Sequence, residues 1–500
     1  MSKIAVLVAL SVLISSVGCK RKIAGRQPHA PTATTSVLAG DHRFACSSQR
    51  RVGCRGVFPV RPAAGSTAAV LSSGEEAFRA RIESLRRARR SIRIQALIFR
   101  GDESGLLIAD LLKQKRKAGL DVRVIVDAVS NLSWQTQWMY FDLKQHGIEV
   151  EGYEALYLQW LTAEVKPTDP LRPNKRFHEK MWVVDGEDPE HGLAIVGGLN
   201  IANEYFRVDS TPINRWSDQD VVLRGAVVAD VVRAFERNYD SFKENKRRLR
   251  PLNNPDNVWR LARGVLDRIA AVKVPDWRNE AIEAGIKRAL ARQASLEFLP
   301  ARARFLQSRP RLGETHIEQA YLNMVDRAKK RVLIANAYFV PSRKLADSLR
   351  RAARRGVRVT IITNSPATND IRSVAVVSRA TYRDLLAVNR QRAATGRIEL
   401  FEWRGPPVKE GTLHAKFAVF DAREAVVGSF NLDPRSARLN SESAVALGGP
   451  VAARLERLFL EHYLPLADQI GWEQASKFHD PPELGKRFEL LFNLPLKDWL

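Results

Sequence analysis

The stretch FHEKMWVVD at residues 177–185 recurs in the second half of the chain as LHAKFAVFD at residues 413–421. Both copies share the pattern His-x-Lys-x4-Asp, and their histidines, His178 and His414, lie 414 − 178 = 236 residues apart. On a strand, side chains at positions i and i+2 point to the same face, so each histidine shares a face with its lysine. The apolar residues that follow point inward. The sequence therefore predicts two equivalent strands, each carrying an imidazole beside an ammonium group.

A longer repeat surrounds these motifs. Residues 75–127 contain a basic helix, the apolar run SIRIQALIF, a second helical pattern and a strand-like run, and residues 315–365 repeat that order. Strand-like runs separated by helical patterns favour parallel βαβ units with right-handed crossovers. We therefore predict an α/β fold of two pseudo-symmetric lobes, each a mainly parallel sheet flanked by helices, with the active site between them.

The repeat also predicts the domain boundaries. A charged, helical connector that opens with KRRLR joins the two lobes. We predict a tether at 20–70, a first lobe at 71–245, the connector at 246–311, a second lobe at 312–475 and a C-terminal segment at 476–500.

Length and composition limit the class of protein. The 500 residues are 45% hydrophobic and 27% charged, which excludes wholesale disorder and a polytopic membrane protein. A formal charge of +25 predicts attraction to polyanions, either nucleic acid or an anionic lipid surface. Three cysteines exclude a disulfide scaffold and a four-cysteine zinc site.

The amino terminus has the features of an export signal at residues 1–19. Lys3 precedes an apolar core at 4–14, which is too short to span a bilayer comfortably. The Gly-Cys pair that ends at Cys19 resembles the lipobox of bacterial lipoproteins, although Ser16 replaces the usual leucine. We expect an exported, membrane-anchored lipoprotein lipidated at Cys19, with a periplasmic or secreted protein as the alternative.

The other two cysteines, Cys46 and Cys54, fall within the predicted tether. In an oxidising compartment they lie close enough in sequence to form a disulfide, which would constrain an otherwise loose segment.

The paired motifs contain what phosphodiester chemistry needs. A neutral imidazole can attack phosphorus, and a second imidazole, in its charged form, can protonate the leaving oxygen. Cations and amide or hydroxyl donors can stabilise the charge on the phosphate oxygens without a metal or cofactor. The candidates for this stabilisation are Lys180, Lys416, Asn200, Asn431 and Ser429.

Each histidine also needs a partner that holds its tautomer. Glu442 follows His414 by 28 residues (442 − 414), and Asp218 takes the comparable place in the first lobe. The motif acids Asp185 and Asp421 complete the predicted catalytic set, with a second possible role in holding the strand ends.

The duplicated motifs resemble the phospholipase D superfamily. Further stretches are similar to its cardiolipin synthase branch, most of all the third bacterial type: GLNIANEY at 198–205, AYFVP at 337–341, ND at 369–370 and GSFNLDPRS at 428–436. The resemblance implies that His178 forms a phosphatidyl-histidine and that His414 acts as acid and then as base. Two features depart from the family's pattern, a longer turn at 186–192 and the export signal. They affect the expectation about the acceptor alcohol and not the expectation of phosphatidyl chemistry.

Three functions remain open at this point. The first is a phosphatidyltransferase that acts on phospholipids at an anionic membrane. The second is a hydrolase of phospholipids or, less favoured, of nucleic acid, since no run of aromatic residues alternates with Lys and Arg to stack bases. The third is a non-enzymatic lipid-binding lipoprotein, which the complete motifs oppose. An apolar cluster suits either acyl chains or core packing: Trp134, Trp138, Met139, Tyr140, Tyr157 and Trp160.

Overall fold

The computed structural model describes residues 35–44, 56–127, 129–153, 176–209, 215–249, 277–292, 295–404 and 411–494. The predicted export signal, Cys19, Cys46, Cys54, Tyr157 and Trp160 lie outside the described residues. Within those ranges, no helix is long and apolar enough to cross a membrane.

Eight strands form the sheet of the first lobe: β1 Ser66–Leu71, β2 Ser91–Ala96, β3 Asp121–Asp127, β4 Glu149–Tyr153, β5 Met181–Val184, β6 Leu193–Gly197, β7 Asp220–Gly225 and β8 Leu299–Pro300. They lie in the order β4-β3-β2-β5-β6-β7-β1-β8. The helices of this lobe are α1 Gly74–Arg87, α2 Glu103–Lys117, α3 Trp134–Gln145, α4 Asn203–Phe206, α5 Val228–Leu249 and α6 Glu280–Ala291.

A second sheet of eight strands repeats the design: β9 Arg302–Ser308, β10 Arg331–Asn336, β11 Arg358–Asn364, β12 Arg397–Trp403, β13 Lys416–Phe420, β14 Glu424–Gly428, β15 Glu442–Gly448 and β16 Ala467–Ile470. Their order is β16-β12-β11-β10-β13-β14-β15-β9. The helices are α7 His316–Arg327, α8 Arg343–Arg354, α9 Arg372–Leu386, α10 Pro434–Arg438, α11 Pro450–Leu458, α12 Trp472–His479 and α13 Leu484–Asn493.

The two sheets are mixed in the same way. β2, β3 and β4 pair in parallel, as do β10, β11 and β12, while the central strands β5 to β7 and β13 to β15 pair antiparallel. The α/β, two-lobed prediction is confirmed. The sheets depart from the mainly parallel ones predicted because short turns join strands such as β13 and β14, and such turns connect antiparallel neighbours.

Local sequence explains where the helices begin. The side chain of Ser73 accepts a hydrogen bond from the backbone N–H of Glu76 at the start of α1, and Asp102 caps α2 through Gly105. Such caps satisfy amide groups that have no partner inside the helix. Both helices then bury an apolar stripe against the outer face of the first sheet, as helical periodicity predicts.

The inner faces of the two sheets pack against each other. Trp182 and Val184 of β5 point to the core beneath the helices, whereas Met181 and Val183 join a core shared by both lobes. The second lobe repeats this alternation, since Phe417 of β13 lies in the shared core. This apolar interface sets the position of the two motif strands relative to each other.

The predicted boundaries at 70/71 and 311/312 are wrong, and those at 245/246 and 475/476 fall inside α5 and α12. The predicted tether ends too late, because Ser66–Leu71 forms β1 and because Val37 and Leu38 are buried in the core of the second lobe. The predicted connector also extends too far. Within it, Arg302–Ser308 forms the edge strand β9, whose Arg304 donates to the carbonyl oxygens of Phe58 and Val37.

Candidate active site between the lobes

The two motif histidines lie at equivalent edges of the sheets. His178 precedes β5, which pairs antiparallel with β2, so that Met181 lies opposite Gln95 near the carboxyl end of β2. In the second lobe Lys416 lies opposite Asn336, the last residue of β10. The carboxyl ends of parallel strands are the usual place for a ligand in such sheets.

Two short backbone bridges join the lobes beside the histidines. One pairs Phe177 with Ser441, and its counterpart pairs Ser217 with Leu413. The backbone N–H of His178 donates to the carbonyl oxygen of Ser441 at 2.9 Å. Each bridge therefore places a histidine next to the backbone segment of the opposite lobe that immediately precedes, or contains, the acid of that lobe.

The histidine–acid pairs cross between the lobes. Nδ1 of His178 lies 2.9 Å from Oε2 of Glu442, and Nδ1 of His414 lies 2.5 Å from Oδ2 of Asp218. Counting along the sequence assigned each acid to the histidine of its own lobe, and that assignment is wrong. Because Nδ1 is engaged in both rings, Nε2 is the nitrogen that can reach a substrate.

The two carboxylates differ in their surroundings. Glu442 accepts hydrogen bonds from the hydroxyl groups of Ser429 at 2.5 Å and Ser436 at 2.8 Å. Gly198 takes the place of Ser429 in the first lobe, where a Cβ atom would lie 2.1 Å from Oδ1 of Asp218. The hydroxyl of Ser429, predicted to donate to a substrate phosphate, donates to Glu442 in this structure.

Burial and hydrogen bonding shift the pKa values of these groups. Burial lowers the pKa of His178 to about 4 and that of His414 well below its usual value. Burial opposes ionisation of Glu442, but His178 and the hydroxyl of Ser429 lower its pKa overall. Burial raises the pKa of Asp218 to about 6. Near pH 7 the site therefore presents neutral imidazoles, the form that can act as a nucleophile.

Both predicted lysines lie within the same cluster. Nζ of Lys180 donates to the carbonyl oxygen of His178 at 2.7 Å, and Nζ of Lys416 lies 2.7 Å from Nδ1 of His414. Burial lowers the pKa of Lys180 to about 7 and that of Lys416 to about 8. Two buried ammonium groups whose pKa values are lowered form a site that favours an anion. The negative charge of a bound anion would raise the pKa values of both lysines again.

The two predicted asparagines are used differently. Asn200 accepts from the backbone N–H of Ile98 at 3.1 Å and donates to the hydroxyl of Tyr205 at 2.8 Å, so its amide is engaged within the protein. The buried amide oxygen of Asn431 has no hydrogen-bond partner among the described residues. Because an amide oxygen accepts hydrogen bonds, this atom suits a hydroxyl group of a ligand and not a phosphate oxygen.

Asp185 and Asp421, predicted as part of the catalytic set, hold the starts of neighbouring strands. Asp185 accepts from the backbone N–H groups of Arg89, Arg90 and Ser91, which fixes the start of β2. Asp421 does the same for residues 329–331 at the start of β10. Both lie beyond the far ends of their strands, about 20 Å from the histidines at 3.3 Å per residue. Their φ angles of 51° and 53° place them in the left-handed region, which aspartate tolerates better than most residues.

Several site residues were missed by the motif analysis. Trp216 and Tyr205 contact the ring of His414, with centroids 5.3 and 5.2 Å away. The hydroxyl of Tyr338 donates to Asp370 at 2.7 Å, and the charge of Asp370 raises the pKa of Lys416 against the effect of burial. Most of these residues, and Ser436, fall inside the stretches that resemble the cardiolipin synthase branch. That resemblance was the sequence signal that could have identified them.

Comparisons with known proteins identify the family of this chain. The family described as cardiolipin synthase, PLD-like domain, matches residues 82–237 and 321–463, more than half of the chain. Among curated relatives, cardiolipin synthase C of Escherichia coli is 28% identical over 440 residues, covering 82% of this chain and 87% of that protein. A cardiolipin synthase of Geobacillus thermodenitrificans is 28% identical over 379 residues, covering 75% of this chain and 62% of that protein.

The fold is also found in a solved structure. The phosphatidylserine synthase of Haemophilus influenzae aligns with a TM-score of 0.60 at 18% identity, over 88% of this chain and 98% of that one. The chain therefore belongs to the PLD-like cardiolipin synthase family, and it is an enzyme of that superfamily's phosphatidyltransferase and phosphodiesterase class.

Proposed function

We propose that the protein is a phosphatidyltransferase of the cardiolipin synthase type, which moves a phosphatidyl group from one phospholipid to an alcohol of another. The observation that carries the proposal is the pair of buried histidines, each held by a carboxylate of the opposite lobe beside a buried lysine. The similarity to two named cardiolipin synthases supports the choice of substrate class.

In the first step, Nε2 of His178 attacks the phosphorus of the donor lipid. A P–N bond forms and the P–O bond to the leaving headgroup breaks, while His414 transfers a proton to the departing oxygen. The bound phosphate supplies the negative charge that raises the pKa of His414 enough for this role. Lys180 and Lys416 stabilise the charge on the phosphate oxygens.

In the second step, the acceptor alcohol replaces the leaving headgroup. His414, now neutral, removes the proton of the acceptor hydroxyl, whose oxygen attacks phosphorus and breaks the P–N bond. His178 returns to its starting state. Water in the acceptor's place would make the same site a phospholipase D-type hydrolase, and the reaction products distinguish the two outcomes.

The test is product analysis with labelled phosphatidylglycerol in vesicles. Transfer predicts a labelled diphosphatidyl product and release of glycerol, whereas phosphatidic acid as the sole product would assign hydrolysis. Nicked nucleic acid with no lipid product would overturn the proposal in favour of a nuclease. His178→Ala is the control, since it removes the proposed nucleophile and should abolish every product.

We also propose that the protein is exported and anchored to a membrane through a lipidated Cys19. The lipobox-like Gly-Cys pair and the +25 charge support this placement. The parent should stay with membranes at both low and high salt, whereas Cys19→Ser should be released at high salt. A parent that carries no acyl label and washes off in salt would identify a periplasmic or secreted enzyme.

A further inference from the structure

Most of the exposed large apolar side chains that the structure describes lie at residues 132 and 134, at residue 371, and on or next to the C-terminal helix α13. Within the described ranges, nine large apolar residues are more than a third exposed, and all but Leu460 belong to one set. We call this set the apolar rim, and its members are Leu132, Trp134, Ile371, Leu484, Phe488, Leu491, Phe492 and Leu494. Apolar side chains scattered singly need no explanation, but a cluster of this kind marks an interaction surface.

The C-terminal helix α13 contributes the largest part of the rim. Leu484, Phe488 and Leu491 recur at the spacing of one helical face and are between 63% and 69% exposed. The other side of the helix faces the protein, where Leu490 is buried. Glu489 forms an ion pair with Arg372 at 2.9 Å, which holds the helix against the start of α9. The apolar face of α13 is therefore presented outward on a folded element.

A short chain of contacts connects α13 to the site. Arg372 begins α9, and the preceding residue Ile371 is 44% exposed. The residue before Ile371, Asp370, accepts a hydrogen bond from Tyr338, and its charge raises the pKa of Lys416 against the effect of burial. The rim in the second lobe thus borders the cluster that contains the catalytic lysine.

The first lobe has a matching border. Leu132, 71% exposed, lies in the loop after β3, the strand equivalent to β11 in the internal repeat. Asn131 ties this loop to the backbone N–H of Phe99 at 3.0 Å, one residue beyond Ile98, which donates to Asn200. Exposed apolar residues therefore border the site on both lobes.

We propose that the apolar rim inserts into one leaflet of an anionic phospholipid bilayer and places the site at the lipid surface. This inference rests on the proposed function, because a phosphatidyl donor resides in a bilayer. A bilayer is the occupant that can contact both lobes at once, and the +25 charge of the chain is complementary to anionic headgroups. On α13, Lys486 pairs with Glu483 at 2.7 Å and Arg487 with Asp480 at 3.5 Å, yet both basic side chains are more than half exposed and can remain among the headgroups while the apolar side chains insert.

The experiment compares Phe488→Ser/Leu491→Ser and Leu132→Ser with the control Leu460→Ser, an exposed leucine outside the rim. All are made in the full chain carrying Cys19→Ser, so that an acyl anchor does not mask the effect. Binding to vesicles of phosphatidylglycerol and phosphatidylcholine is measured by co-sedimentation at low salt, where the chain with Cys19→Ser stays bound. We expect the rim variants to bind at least tenfold more weakly and the control to bind like its parent.

Activity on a short-chain phospholipid below its critical micelle concentration separates this inference from the proposed function. Rim variants should keep the parent's rate on this monomeric substrate and lose rate on vesicles. Unchanged vesicle binding would overturn the rim proposal, and so would a dimeric parent that becomes monomeric in the variants, because the face would then join two copies. If the parent has no activity on either substrate but binds vesicles through the rim, the proposed function fails and the membrane surface stands.

Discussion

Nδ1 of His178 and Oε2 of Glu442 lie 2.9 Å apart although 264 residues separate them in the chain. The carboxylate that orients the proposed nucleophile therefore belongs to the other lobe, and Asp218 serves His414 in the same crossed manner.

The crossed pairs predict which substitutions share a defect. A phosphatidyl ester of p-nitrophenol needs no proton on its leaving group, so its first step depends on His178 but not on His414. Glu442→Gln should therefore lose the p-nitrophenol burst as His178→Ala does, whereas Asp218→Asn should keep it. With a natural lipid, each acid substitution should lower kcat by about 10²- to 10⁴-fold. The opposite grouping, with Asp218→Asn resembling His178→Ala, would contradict the crossed assignment.

A covalent adduct should form on His178 alone. His414→Ala lacks the base for the second step, so labelled p-nitrophenyl substrate should leave a stable label on the protein. Peptide mapping under alkaline conditions, which preserve phosphohistidine, should locate this label at His178. Label on any residue in the double variant His178→Ala/His414→Ala would show that the adduct is not specific.

Asp185 and Asp421 should affect stability more than catalysis. Asp185→Ala removes the side-chain acceptor of three backbone N–H groups, which should lower the free energy of unfolding by about 2 to 4 kcal/mol. Chemical denaturation measures this loss. Glu190→Ala, on the same turn but exposed, is the matched control and should change stability little. A kcat of the folded Asp185→Ala enzyme that falls by 100-fold or more would restore the catalytic role.

The lowered pKa values of the two lysines predict that activity is lost at a lower pH than ordinary lysines would allow. The pKa of Lys180 is about 7 and that of Lys416 about 8, so raising the pH through this range removes positive charge from the free enzyme. Because kcat/KM reports ionisations of the free enzyme, it should fall between about pH 7 and 9. Lys180→Arg, whose side chain stays charged, should move the limit upward if it retains activity. A kcat/KM that stays level to pH 10 would contradict the predicted role.

Activity should not depend on a divalent metal. The two buried lysines supply the positive charge that a metal would otherwise provide to the phosphate oxygens. Rates measured in excess chelator should match those in its absence. Loss of activity that one added metal restores would contradict this prediction.

The repeat and its motifs predicted the two-lobed α/β fold because strand and helix periodicity is local information. The crossing of His178 to Glu442 was missed because it depends on the bridge between Phe177 and Ser441, a contact between distant segments with no local signal. The structure shows Asp185 holding the start of β2, the second function considered for it, and places it beyond the end of β5 that is far from His178. Motif membership alone does not say which end of a strand faces the site. The strand Ser66–Leu71 was missed because its small residues resemble a linker in composition.

The crossed pairing also delays the assembly of the site while the chain is being synthesised. During synthesis, the imidazole of His178 emerges from the ribosome 264 residues before its carboxylate. At about 5 to 20 residues per second, roughly 10 to 50 s pass before the dyad can assemble. A nascent or truncated chain that ends before Glu442 therefore lacks the carboxylate that orients His178, and its nucleophile can be completed only once the second lobe has been made.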